Sequence, residues 1–233
     1  MSPVEQEQIV QAITGTFMWS FKKGDNIVYN FEVIWELYRA KNSAGVSHQG
    51  KYIKPIVLLQ VSIIECILDD FVNRVIGHVR DRVPNITPSQ INDFKTKKRD
   101  KLEHYISAAK KHNLFDTDND FYDEMDLLRK ARNRSHIQNT KYTEPANESS
   151  LFNTALLGKS EYVFEVVLER MMTKFFRGTV LSIQFADVPL PWPRVNVLPI
   201  VEEVEDGPWL CVGCGTPYPP EVPCCIDCAL PKP

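Results

Sequence analysis

YIKPIVLLQVSIIECILDDFVNRV, residues 52–75, contains the longest apolar stretch of this 233-residue chain. Its apolar side chains recur every three or four residues, at Ile56, Leu59, Ile63, Ile67, Phe71 and Val75. This spacing places them on one face of an α-helix. Polar residues interrupt the run too often for a membrane span. We therefore expect a central bundle helix over Tyr52–Val83.

Similar periodicity predicts further helices on both sides of this segment. Pro84 ends the central helix, and Thr87-Pro88 is a typical helix start. The predicted helices are Ile27–Ala40, Pro88 to about His112, Phe121–Ile137 capped by Asp118 or Asp120, and Tyr162–Phe176 preceded by Ser160 and ended by Gly178. A short strand is predicted at Val180–Phe185. Four to five main helices indicate an all-α bundle.

Composition and charge place the chain among ordinary globular proteins, with 43% hydrophobic and 24% charged residues. The first residues carry no basic leader followed by an apolar run, so we expect a cytoplasmic protein and no membrane partner. The net charge of −3 is uneven, because residues 201–233 carry −5. An acidic tail beside a mildly basic body argues against nucleic-acid binding by the tail.

The tail holds two Cys-x-x-Cys pairs, a spacing typical of a tetrahedral zinc site. The predicted ligands are Cys211, Cys214, Cys225 and Cys228; Cys224 is an alternative third ligand. A pair of disulfides is the other interpretation, disfavoured by the expected compartment. The segment is too short to bury a core, so a structural Zn²⁺ is expected to supply its folding free energy.

One predicted helix carries residues suited to chemistry. Arg129, Asn133 and His136 stack at spacings of four and three residues, and Arg132 lies four before His136. Such a set suits RNA cleavage without a metal, since an imidazole can move a proton and a guanidinium can stabilise the charge that grows on the phosphate. Surface residues of an ordinary helix are the alternative interpretation.

This all-helical body, with Leu-Leu-Arg-x-x-Arg-Asn-x-x-His late in it and Glu65 in an early helix, resembles the HEPN superfamily. The resemblance covers about residues 27–178. It implies a metal-independent endoribonuclease of the toxin–antitoxin or phage-defence kind, with Arg129, Arg132, Asn133 and His136 at a site completed by homodimerisation. Many members of that superfamily only bind RNA or proteins. Arg129 has the family spacing to His136, whereas Arg132 has the following Asn, so the catalytic arginine stays open.

A second arginine–histidine pair and a basic run lie earlier in the chain. Arg99 and His104 have similar spacing, which we interpret as chiefly structural. RNA-phosphate contacts are predicted at Lys97, Lys98, Arg99 and Arg134. The alternative is a solvated face balanced by Asp93, Asp100 and Glu103.

The tail resembles Ran-binding-protein-type zinc fingers, with Trp209 before its first cysteine, and bacterial zinc ribbons nearly as well. Because residues 215–223 contain no basic residue, we expect it to dock a protein partner. The predicted organisation is an N-terminal helical extension (1–26), a HEPN-like domain (27–188), a proline-rich acidic linker (189–208) and the four-cysteine module (209–233). Two functions follow: the dimeric endoribonuclease, or a non-catalytic RNA- or protein-binding module.

Overall fold

The computed structural model describes residues 2–77, 83–97, 99–134, 147–177, 184–194, 209–210 and 217–218. The chain divides into two compact units, Met1–Val197 and Leu198–Pro233. In its described part the first unit contains α1 (Pro3–Val10), α2 (Phe21–Ser43), α3 (Val46–Gln49), α4 (Ile53–Gly77), α5 (Pro88–Thr96), α6 (Leu102–Lys111), α7 (Asn119–Asn133), α8 (Glu148–Leu151) and α9 (Thr154–Thr173). A π-helical turn at Gln11–Gly15 and 3₁₀ turns at Gly50–Tyr52 and Phe185–Asp187 complete it. The all-α prediction is confirmed for this unit.

Helix α4 is the centre of the bundle, as its sequence predicts. It packs against α2, α5, α6, α7 and α9. Of the predicted apolar face, Ile56, Ile63, Ile67, Phe71 and Val75 are buried, and Leu59 is half-buried against the core. Burial on nearly all sides leaves α4 only one partly exposed stripe.

The N-terminal residues belong to the same hydrophobic core. Ile9, Ile13 and Phe17 are each at most 2% exposed. The buried Asp70 carboxylate accepts hydrogen bonds from the backbone N–H groups of Trp19 and Ser20, at 2.7 and 3.1 Å. These hydrogen bonds stabilise the turn into α2, because backbone N–H groups that are shielded from water need another acceptor.

The helix predicted from Pro88 to His112 is two helices in the structure, which corrects that expectation. The Thr87 cap and Pro88 start are confirmed, but α5 ends at Thr96 and Lys97 is extended. The Arg99 guanidinium folds back onto the Asp93 carboxylate at 2.6 Å and lies over the Phe94 ring, 5.0 Å from its centroid. This ion pair and ring contact stabilise the bend between α5 and α6.

The last long helix also begins earlier than predicted. Asn153 caps α9 by accepting a hydrogen bond from the Leu156 N–H at 2.9 Å. Ser160 is therefore inside the helix, fully buried, where its hydroxyl donates to the Gln60 side chain at 2.6 Å. Helix α9 ends at Thr173, and the predicted cap Gly178 lies outside the described residues.

The helical unit continues past residue 188, where the predicted linker starts. Trp192 is 5% exposed and contacts the rings of Phe31, Tyr38 and Phe164. Its indole N–H donates to the buried Glu165 carboxylate at 2.7 Å. Residues 184–194 are thus a packed segment rather than a spacer, and Phe185 of the predicted strand lies in a 3₁₀ turn.

The C-terminal unit has two short strands in its described part. β1 (Trp209–Leu210) pairs antiparallel with β2 (Pro217–Tyr218), in a register that joins Trp209 to Tyr218 and Leu210 to Pro217. Six residues separate the two strands in the sequence.

Candidate functional site

Helix α7 carries three of the four predicted RNA-cleaving residues, Arg129, Arg132 and Asn133. Asp118 caps its N-terminus by accepting a hydrogen bond from the Phe121 N–H at 3.1 Å, which confirms one of the two predicted caps. Its buried face consists of Phe121, Tyr122, Met125, Leu128 and Ala131. Because these side chains hold the helix against the bundle, the basic side chains fall on the other faces.

Arg132 lies beside Glu65 at the exposed stripe of α4. Its Nη2 is 2.5 Å from Glu65 Oε2, and the two side chains are 36% and 25% exposed. Its Nη1 donates to the amide oxygen of Asn133 at 3.4 Å. The structure thus brings together Glu65, Arg132 and the exposed Asn133, and leaves part of the guanidinium open to solvent.

Arg129 is held by acidic residues on its own helix and on α6. Its Nε donates to Asp126 Oδ1 at 2.7 Å, its Nη1 is 3.6 Å from Glu103 Oε2, and its side chain is 16% exposed. Burial acts to raise the pKa of Asp126, but hydrogen bonds from Lys130 and Arg129 outweigh it and lower that pKa. Of the two candidate arginines, Arg132 therefore offers more surface to a ligand.

His136 lies outside the described residues, three positions beyond the end of α7. The expected helix over Phe121–Ile137 is thus shorter than predicted. Arg134 is the C-cap, and its N–H is shared between the carbonyls of Lys130 and Ala131, which tightens the last turn. Its side chain is half-buried and already has a partner.

A second charged group lies one helical turn along α4 from Glu65. Asp69 accepts hydrogen bonds from Lys23 Nζ at 2.5 Å and from the Tyr105 hydroxyl at 2.6 Å. Burial acts to raise the pKa of Asp69, but these two donors outweigh it and hold that pKa below its usual value. Burial raises the pKa of the neighbouring Cys66 thiol, which favours the unreactive thiol form. Sequence reasoning missed this group, because its members come from three helices.

Two of the predicted RNA-contacting residues, Lys97 and Arg99, contact a single carboxylate that two further side chains share. Lys97, Arg99, Lys111 and His112 all contact Asp93, whose side chain is 13% exposed. Hydrogen bonds from Lys111 and His112 are the largest causes that hold the pKa of Asp93 far below its usual range. The Arg99 side chain is only 6% exposed, so it presents little surface to a phosphate. Lys98 lies outside the described residues.

The second arginine–histidine pair of the sequence, Arg99 and His104, makes contacts within its own segment. Arg99 Nη1 contacts the backbone oxygen of His104 at 3.5 Å, rather than its ring. The His104 ring lies 3.3 Å from the Asp100 carboxylate in the same short segment. The two side chains do not converge on a common ligand position.

The predicted zinc ligands Cys211, Cys214, Cys225 and Cys228, and the alternative Cys224, lie outside the described residues. Within the part of the chain that the structure describes, no group of three His, Cys, Asp or Glu side chains is arranged to hold a metal ion. In the sequence, the first Cys-x-x-Cys pair lies between the residues of β1 and those of β2.

No described helix combines the length and the apolar character that crossing a bilayer requires. Comparison of the chain with protein families, curated proteins and solved structures finds no match.

Proposed function

We propose that the helical unit is a metal-independent endoribonuclease of HEPN type, in which Arg132 stabilises phosphate charge and His136 transfers the proton. The observation that carries the proposal is the Arg132–Glu65 contact between α7 and α4. It joins the two parts of the sequence on which the HEPN resemblance rests. A guanidinium that is held by a carboxylate yet 36% exposed suits recognition of an anionic ligand.

The proposed chemistry needs only groups of the protein and the RNA. The 2′-oxygen attacks the adjacent phosphorus, a base accepts the 2′-hydroxyl proton, and the 5′-oxygen of the next nucleotide leaves with a proton. His136 supplies one of these proton transfers, and a second His136 in a homodimer supplies the other. Arg132 stabilises the charge that grows on the phosphate oxygens. The products are a 2′,3′-cyclic phosphate and a 5′-hydroxyl.

Incubation of the full chain with structured RNA in EDTA tests the proposal. We expect His136→Ala to lower the cleavage rate about 10²- to 10⁴-fold, which is the usual contribution of a proton-transfer residue. Arg132→Ala should lower the cleavage rate about 10²- to 10³-fold. Arg132→Lys should be nearly as slow as Arg132→Ala, because lysine lacks the planar, two-pronged guanidinium group. His48→Ala is the matched control, since His48 is an exposed histidine on α3.

A second candidate function is the non-catalytic RNA- or protein-binding module. It is favoured by the carboxylate partners of both candidate arginines, Glu65 on Arg132 and Asp126 on Arg129, which reduce the positive charge available to stabilise the charge that grows on the phosphate during cleavage. RNA binding by the wild type without cleavage at any protein concentration would favour this candidate over the nuclease.

We infer that the C-terminal unit is a structural zinc module. The support is the spacing of the two Cys-x-x-Cys pairs, together with the antiparallel pairing of β1, which ends directly before Cys211, and β2, which begins three residues after Cys214 in the sequence. The charge of −5 over residues 201–233 favours a protein over RNA as its ligand. Metal analysis of the purified chain should give one Zn²⁺ per protomer, and none after Cys211→Ser and Cys214→Ser together.

A further inference from the structure

Four cationic or basic side chains converge on the carboxylate of Asp93. The Nζ atoms of Lys97 and Lys111 lie 3.2 and 2.8 Å from Oδ1. Arg99 Nη2 and His112 Nε2 lie 2.6 and 3.0 Å from Oδ2. One carboxylate thus holds groups from the end of α5, the bend after it and the end of α6.

The four groups divide into an inner and an outer pair. The Arg99 and His112 side chains are 6% and 12% exposed, and both pack against the Phe94 ring. The Lys97 and Lys111 side chains are 58% and 53% exposed. Arg99 alone balances the charge of Asp93, so the charges of Lys97 and Lys111 are in excess. Because both lysines contact the same oxygen, their two ammonium groups lie close together.

The surrounding surface adds to this excess of positive charge. Lys95 and Lys101 are exposed on the same segment. The nearby Lys110 is paired with Asp123 at 2.6 Å, and Asp100 lies beside His104. Because each ammonium group has three N–H donors, a lysine that contacts Asp93 can donate to a phosphate oxygen at the same time.

We propose that Lys97 and Lys111 bind the phosphate backbone of RNA, with Asp93 as the residue that brings the two lysines together. Lysines act as mobile point charges, so they suit backbone contacts that do not depend on base sequence. Arg99 takes no part in this contact, because it is buried under Asp93. The inference rests on the proposed RNA ligand, and it does not depend on cleavage.

The affinity of the full chain for a single-stranded RNA, measured by fluorescence anisotropy at several salt concentrations, tests the proposal. The measurement uses His136→Ala as the background, so that the RNA stays intact. Each phosphate contact contributes about 0.7 to the slope of log K against log salt for single strands. Lys97→Ala with Lys111→Ala should therefore reduce the slope by about 1.4. With equal affinities at 1 M salt, this difference in slope corresponds to binding about 25-fold weaker at 0.1 M salt.

The matched control is Lys22→Ala with Lys51→Ala, which removes the same charge from exposed lysines elsewhere in the helical unit. We expect the control to leave the slope nearly unchanged. An equal loss in both double variants would show a net-charge effect and overturn the proposal. So would an unchanged slope in the Lys97/Lys111 variant, or no RNA binding by the parent protein. Binding with the expected slope change, but without cleavage by the wild type, would support this inference and contradict the nuclease.

Discussion

The contact between Glu65 and Arg132 gives the sharpest prediction, because it can be measured as a coupling energy. The change is Glu65→Gln, Arg132→Gln and the combination of both, compared with the wild type in a double-mutant cycle. Glu65→Gln keeps the side-chain volume, Arg132→Gln shortens the side chain by two heavy atoms, and both remove the charge. Because the packing lost in each single variant is also lost in the double variant, the cycle cancels it and reports the interaction between the two side chains.

The structure sets the expected magnitude. Exposed ion pairs contribute about 0.2 to 1 kcal/mol, and pairs that are only partly exposed lie at the upper end of that range. The Glu65 and Arg132 side chains are 25% and 36% exposed with a 2.5 Å contact, so we expect a coupling of about 1 kcal/mol. In urea unfolding, with a slope of about 3 kcal/mol per molar, the single variant Glu65→Gln should shift the midpoint by about 0.3 M.

The matched control is the pair Glu36 and Arg39, whose side chains are 63% and 60% exposed at 3.2 Å. A coupling of about 0.3 kcal/mol is expected there. If Glu65 and Arg132 coupled no more strongly than this control pair, Glu65 would not hold Arg132 in place. The cleavage rate of Glu65→Gln should also fall. If the stabilisation of the transition state by Arg132 decreases by about 1 kcal/mol, kcat decreases about five-fold, with KM little changed.

Three further predictions concern stability and metal. Trp192→Phe should cost about 1 to 3 kcal/mol of unfolding free energy, because it removes the hydrogen bond to buried Glu165, and Trp192→Ala about 3 to 5 kcal/mol; no loss on urea unfolding would contradict the packed segment at residues 184–194. Asp93 has a lowered pKa in the folded state, so its contribution is present above its unfolded value of about 3.9 and is lost as pH falls below it. The wild type should therefore lose more stability than Asp93→Asn between pH 6 and pH 3 in urea unfolding, and equal losses would argue against the four-partner arrangement. Removal of Zn²⁺ by a chelator should abolish ordered amide signals of the C-terminal unit in NMR spectra and spare those of the helical unit, whereas unchanged spectra would contradict the zinc module.

Local chemistry in the sequence predicted much of the fold. The Thr87 and Asp118 caps, the Pro88 start and the buried face of α4 all depend on neighbouring residues, and the structure has each of them. Periodicity alone also predicted one helix from Pro88 to His112. The break there depends on Arg99 reaching back to Asp93 and Phe94, and no pattern of apolar residues contains that information.

Long-range packing explains the other differences. Ser160 has the residue type of a helix cap, but Asn153 caps α9 earlier and Ser160 is buried against Gln60 of α4. Trp192 stands among prolines, which is typical of a connector, yet the core of the bundle has room for its ring. Both outcomes depend on residues 100 or more positions away in the sequence.

The sequence predicted which residues form the candidate site better than it predicted which of them contact each other. The sequence singled out Arg129, Arg132, Asn133 and the early Glu65. Only the structure distinguishes the arginines, since Arg129 is engaged with Asp126 and Glu103, whereas Arg132 is more exposed beside Glu65. The convergence on Asp93 includes Lys111 and His112 from α6, so it follows from tertiary packing.

The central claim is cleavage of RNA by attack of its own 2′-hydroxyl without a metal. The most direct measurement compares an all-RNA substrate with the same strand carrying one 2′-deoxy nucleotide at the cleavage position, in EDTA, with analysis of the product ends. We expect a 2′,3′-cyclic phosphate and a 5′-hydroxyl from the all-RNA strand and no cut at the substituted position. Cleavage of the 2′-deoxy strand at that position, or dependence of cleavage on an added divalent metal, would contradict it.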